Sequence, residues 1–88
     1  MAKNKQALIT GASSGLGLNA AMALAQDGYD IIMTARGKKR LDQAALEVGK
    51  INNQVKITAM VLDVSNFDEV RDFANKQKGI LDVLMNNA

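Results

Sequence analysis

"ITGASSGLGLNAA", residues Ile9 to Ala21, starts apolar, breaks into glycine, serine and alanine, and turns apolar again. Three glycines, Gly11, Gly15 and Gly17, fall where a strand hands over to a helix. Glycine there allows backbone angles that other residues avoid, and the missing side chains let a ligand reach the main chain. The natural guest is a phosphate, because a helix N-terminus offers unpaired N–H groups and about half a positive charge. Two phosphate motifs can be compared with this stretch. A P-loop requires G-x-x-x-x-G-K-[ST], whereas Gly15 follows Gly11 by four positions and precedes Leu16, with no lysine to reach outer phosphates. The fingerprint G-x-G-x-x-G is not matched either, since the spacing from Thr10 to Gly17 is T-G-x-x-x-G-x-G.

Apolar runs of strand length recur at Ala7–Thr10, Tyr29–Ala35, Val55–Leu62 and Ile80–Met85, with helical patterns between them. This alternation predicts βαβ units and a parallel sheet. The first helix runs from Gly15 to about Gln26, its alanines suit close packing on a sheet, and Asp27-Gly28 ends it. The second places Leu41, Ala44, Ala45, Val48 and Ile51 or Asn52 on one face. A third opens at Ser65, with Asp68 three residues on as in a capping box, and sets Val70, Phe73 and Ala74 on one side. Gly28, Gly37 and Gly49 read as helix or turn terminators. Lys56 and Thr58 give the third strand the partial alternation of a sheet edge.

The chain's 88 residues allow one small domain. Apolar residues form 48% of it, and no run approaches the roughly 18–20 that a membrane span needs. Cysteine and histidine are absent, which removes disulfides, thiolate chemistry, histidine-based metal sites and the usual base near neutral pH. The start "MAKNKQALIT" is too short in apolar residues for a signal-peptide core, so a cytoplasmic location is expected. A net charge of +2 with only Tyr29, Phe67 and Phe73 as aromatics argues against nucleic acid.

"TGASSGLG" resembles the cofactor loop of the short-chain dehydrogenase/reductase family. "LDVS" at Leu62–Ser65 is similar to that family's acidic residue after the third strand. "LDVLMNNA" at Leu81–Ala88 is similar to its N-N-A-G segment. The resemblance runs over the whole chain. It implies a Rossmann-type three-layer α/β/α fold with about four parallel strands in the order 3-2-1-4, incomplete relative to the full family fold. It also implies that the backbone around Ser14, Gly15 and Leu16 meets a pyrophosphate, with a hydroxyl contact from Ser13 or Ser14. Asp63 would accept from the adenine amino group, the Val64 N–H would pair with a ring nitrogen, and Asn87 and Ala88 would lie along the adenosine ribose. Asn86 would tie neighbouring strands.

An acid closing the second strand would accept from a free 2′-hydroxyl and repel a 2′-phosphate. Ala35 holds that place and Arg36 follows, whose guanidinium can clasp a phosphate through paired bonds. NADP is therefore the expected cofactor, ahead of NAD. Lys38, Lys39 and Arg40 add positive field in a helix's first turn, where the dipole disfavours cations, and that placement points to an anion.

The family's catalytic serine, tyrosine-x-x-x-lysine and asparagine have no counterpart here, for the single tyrosine, Tyr29, is followed four residues later by Met33. Tyr29 reads as packing. No catalytic residue is assigned, and no dehydrogenase activity is expected from these 88 residues alone. Three readings stay open: the N-terminal portion of a longer oxidoreductase, a stand-alone nucleotide-binding or regulatory module, or a structural fragment that pairs with another chain. The order 3-2-1-4 leaves Ile80–Met85 at an edge with Asp82 its only charge, which predicts self-association through that strand.

Overall fold

The computed structural model describes residues 4–61, Asp68, Asp72 and Val83–Met85. Strand β1 (Gln6–Thr10) leads through the glycine loop into helix α1 (Gly15–Gln26), followed by β2 (Asp30–Ala35), α2 (Lys38–Ile51), β3 (Ile57–Val61) and β4 (Val83–Met85). All pairings are parallel and the order is β3-β2-β1-β4. The predicted order and Rossmann-type architecture hold. The third predicted helix lies outside the described residues apart from Asp68 and Asp72, both helical and exposed.

Alternation along the strands explains how the sheet is sandwiched. Ala7 and Ile9 of β1 and Ile31, Met33 and Ala35 of β2 join Ala21 and Ala25 of α1 and Leu41, Ala44 and Val48 of α2 in one buried cluster. Two crossovers of one hand, running in one direction along the sheet, put both helices on that face. Leu8, Thr10, Ile32 and Thr34 point the other way and are buried too, so the sheet is covered on both sides. In α1 the inward positions are Gly17, Ala21 and Ala25, whose small side chains bring the helix close to the strands.

Helix α2 meets its neighbours through Leu41, Ala44 and Val48, as its periodicity predicts, with Ala45 half-buried. Of the two alternatives at its end, Asn52 turns inward and Ile51 is exposed. The Asn52 Nδ2 donates to the Ala25 carbonyl at 3.0 Å, and its Oδ1 accepts from the Gln54 N–H at 2.9 Å, which ties the C-terminal ends of both helices together. Gly28, at φ +95°, ends α1 as expected. Gly37 instead opens α2 as its N-cap, and Gly49 lies inside α2, where an added Cβ would sit 4.0 Å from Ile57 Cγ1. Both depart from the terminator reading: Gly37 takes an extended backbone that starts the helix, and Gly49 sits at ordinary packing distance from β3.

No residue of β3 is fully buried, in keeping with an edge strand. At the N-terminal ends of the strands, Asp30 Oδ1 accepts from Asn4 Nδ2 at 3.1 Å and from the Lys56 N–H at 2.8 Å. Asn4 Nδ2 also donates to the Gln54 carbonyl at 3.1 Å. This network pins the end of the sheet opposite the glycine loop. Tyr29 stands at that pinned end, half-buried against the core, as packing requires.

Candidate functional site

The register brings the C-terminal ends of the strands to one edge: Thr10 lies beside Thr34, Ala35 beside Val61, and Ile9 beside Met85. From β3 the chain returns to the far side of β1, so the order reverses between β1 and β4. In open parallel sheets the crevice outside the strand ends at such a reversal is where ligands bind. The glycine loop opens there.

Gly11 and Gly15 adopt φ +61° and +59°, the left-handed region that favours glycine, whereas Gly17 has no positive φ and is buried within α1. The three glycines thus divide their work: two turn the backbone and one lets the helix pack. Between them Ala12 is fully buried, and its N–H donates to the Thr34 carbonyl at 3.0 Å, which fastens the loop to the end of β2. Ser13 is half-buried and Ser14 exposed.

Ser14 occupies the N-cap of α1 but makes no side-chain capping bond, and the first turn carries no acid. The first backbone bond of the helix runs from the Leu18 N–H to the Ser14 carbonyl at 3.4 Å. The preceding amides, those of Gly15, Leu16 and Gly17, therefore have no acceptor within the helix, and the positive end of the dipole is not offset by a side chain. A Cβ on Gly15 would meet nothing within 4 Å, so the space beside Gly15 is open. Such an arrangement fits a pyrophosphate. Leu16, 72% exposed, stands beside the same opening as an apolar surface.

Ala35 is buried at the end of β2 and Arg36 follows it, exposed, on the strand to which the loop is fastened. The structure thus brings together Gly11, Ser13, Ser14, Gly15, Leu16, Ala35 and Arg36 at one edge, with Gly17 beneath. Asp63, Val64, Asn87 and Ala88 lie outside the described residues, though the strands that precede them, β3 and β4, end at this edge.

A cleft of about 240 Å³ opens beside the loop, between Ser13, Ser14 and Leu18 on one wall and Arg40, Gln43, Ala44 and Glu47 of α2 on the other. In the sequence Arg40 belongs to a general positive field, and nothing there marks Gln43 or Glu47. Their spacing of three, four and seven residues is a helix stripe. It is polar, however, and the apolar stripe beside it carries the periodic signal. Lys38 is turned elsewhere: its Nζ lies 2.7 Å from Asp42 Oδ2, and that bond and charge raise the lysine's pKa.

Among the described residues no group of acids could hold a metal, and no helix is long and apolar enough to cross a membrane.

The family model described as short chain dehydrogenase matches residues 5–88. A 3-oxoacyl-[acyl-carrier-protein] reductase of Staphylococcus epidermidis is 39% identical over 88 residues, covering 97% of this chain and 36% of that protein. The chain thus spans about a third of the length of such relatives. Among solved structures, the L-sorbose reductase of Gluconobacter frateurii complexed with NADPH and L-sorbose superposes with a TM-score of 0.86 at 35% identity, over 98% of this chain and 34% of the other. An NAD⁺-bound xylitol dehydrogenase superposes with a TM-score of 0.84 at 30% identity, over 96% of this chain and 33% of the other.

Proposed function

Because the chain belongs to the short-chain dehydrogenase family, we propose that its 88 residues are the NADP(H)-binding N-terminal portion of an oxidoreductase acting on alcohol or carbonyl groups. The observation that carries this reading is the uncapped start of α1 behind a left-handed Gly15, fastened through Ala12 to the strand that ends at Ala35-Arg36. The amides of Gly15, Leu16 and Gly17 hold the pyrophosphate, with Ser13 or Ser14 adding a hydroxyl. Gly11 turns the chain out of β1 so that those amides face the crevice. Asp63 and Val64 receive the adenine, and Asn87 and Ala88 flank its ribose.

Arg36 sets the choice of cofactor. Relatives of this fold carry either NADPH or NAD⁺, so the fold alone leaves both open. No acid closes β2, and an exposed guanidinium next in the chain favours a 2′-phosphate through paired charge-assisted bonds. Each such bond contributes about 1.5–3 kcal/mol, and a tenfold preference needs only about 1.4.

When bound, the cofactor supplies or accepts a hydride. The residues described here bind and orient it, and they offer no proton donor for a carbonyl oxygen. Calorimetric titration of the 88-residue chain should give NADP⁺ an affinity at least about tenfold above that of NAD⁺. Equal or tighter NAD⁺ binding overturns the cofactor choice, and heat from neither overturns the function.

Partnership with a second copy of the chain belongs to the same proposal. β4 pairs with β1 on one side and, among the described residues, with no strand on the other. An open parallel edge presents unpaired N–H and C=O groups to another chain. Sedimentation should show concentration-dependent dimers or larger species, and a strictly monomeric chain at high concentration contradicts this.

A further inference from the structure

Thr34 is the last residue but one of β2, its side chain is fully buried, and among the described residues its Oγ1 has no hydrogen-bond partner. A hydroxyl taken out of water without a partner raises the free energy of the state that holds it, where a methyl of the same shape would not. The other buried polar residues described, Gln6 and Thr10, each make a polar interaction. Thr10 does so although it lies directly beside Thr34 in the register of β1 and β2.

The unpartnered hydroxyl belongs to the middle one of three strand ends, between Thr10 of β1 and Met60 of β3. The carbonyl of the same residue accepts from the Ala12 N–H at 3.0 Å, so the glycine loop is fastened to Thr34 itself. Ala35 and Arg36 follow it directly in the chain. Thr34 thus joins the loop proposed to hold a pyrophosphate to the residues proposed to choose the cofactor.

We propose that Thr34 is a positioning residue whose hydroxyl gains a hydrogen bond only in the nucleotide-bound arrangement of the loop and the end of β2. A diphosphate seated on the amides of Gly15, Leu16 and Gly17 draws on the loop and, through Ala12, on Thr34. A turn of χ1 between staggered wells is enough to redirect the hydroxyl. The free chain bears the cost of the unpartnered group, the bound chain sheds it, and that difference adds to affinity. The proposal rests on the reading that the chain binds an adenine dinucleotide and goes beyond it by tying affinity to a buried group inside the sheet.

Thermal melts without ligand and calorimetric titrations with NADP⁺, NAD⁺ and ADP test this on the wild-type 88-residue chain, Thr34→Val and Thr34→Ser. Valine keeps the shape and removes the hydroxyl, so the free chain should melt about 4–8 °C higher while all three ligands bind about fivefold more weakly. Serine keeps the hydroxyl and loses a buried methyl, so it should melt about 4–8 °C lower and bind within about twofold of the wild type. Stability and affinity then move in opposite senses, which damage to the Ala12 bond alone would not produce. A valine variant that melts no higher than the wild type means that the hydroxyl is already bonded in the free chain, and overturns the proposal. Valine binding within about twofold of the wild type overturns it too, because the hydroxyl is then a packing cost with no part in binding. So does a loss confined to NADP⁺, since the three ligands share the adenosine diphosphate that the loop receives. Each of these failures, with the wild type binding, leaves the nucleotide reading standing. A wild type that takes up none of the three ligands overturns that reading and the proposal with it.

Discussion

Gly15→Val should weaken NADP⁺ binding about a hundredfold while destabilising the fold less than a core truncation does. The backbone at Gly15 has φ +59°, and a side chain in that region costs about 1–2 kcal/mol, most for a β-branched residue. The added Cβ itself meets no neighbour within 4 Å, so backbone strain is the main structural cost. In the proposed binding mode the pyrophosphate reaches the amides of Gly15, Leu16 and Gly17 through this open space. A valine there stands where the pyrophosphate must come, and losing two charge-assisted bonds at about 1.5 kcal/mol each gives a factor of about a hundred or more. Urea unfolding and calorimetry on one preparation separate the two effects. Binding within about threefold of the wild type would mean that the ligand does not approach through this opening.

Leu41→Ala should act on the fold instead. Leu41 is fully buried in the first turn of α2 and belongs to the cluster that joins both helices to the sheet. Truncating a buried leucine costs about 3 kcal/mol in lost burial and cavity. An 88-residue chain has a total stability of roughly 4–13 kcal/mol, so this is a large share of it. At about 4–8 °C per kcal/mol for a domain of this size, the melting temperature should fall by roughly 12–24 °C. Leu46 on the same helix is 67% exposed and gives the control, for its alanine variant should melt within about 4 °C of the wild type. Similar shifts for the two leucines would contradict the packing described for α2.

These contrasts show which features a sequence carries openly. The inward stripe of α2 is periodic and apolar, so Leu41, Ala44 and Val48 could be read directly, and Lys56 and Thr58 marked β3 as an edge. The glycine loop was equally plain, but the separate tasks of its glycines were not. Gly11 and Gly15 take positive φ while Gly17 packs, and nothing in the spacing T-G-x-x-x-G-x-G distinguishes torsion from burial. Long-range contacts are invisible for a different reason. The bond from Asn52 to the Ala25 carbonyl and the bond from the Ala12 N–H to Thr34 join residues 27 and 22 positions apart, which no local pattern encodes. Arg40 was hidden in a basic run whose members differ only in what they face once the helix is formed.

In the proposed function, the amides at the start of α1 receive a diphosphate-linked dinucleotide. An amide ¹⁵N–¹H correlation spectrum of the chain, recorded during titration with NADP⁺, reads this residue by residue. The largest shifts should fall on Gly15, Leu16 and Gly17, followed by Arg36, with Asn4 and Lys56 at the far end of the sheet unmoved. Shifts that spare the three loop amides at saturating NADP⁺ would contradict the account.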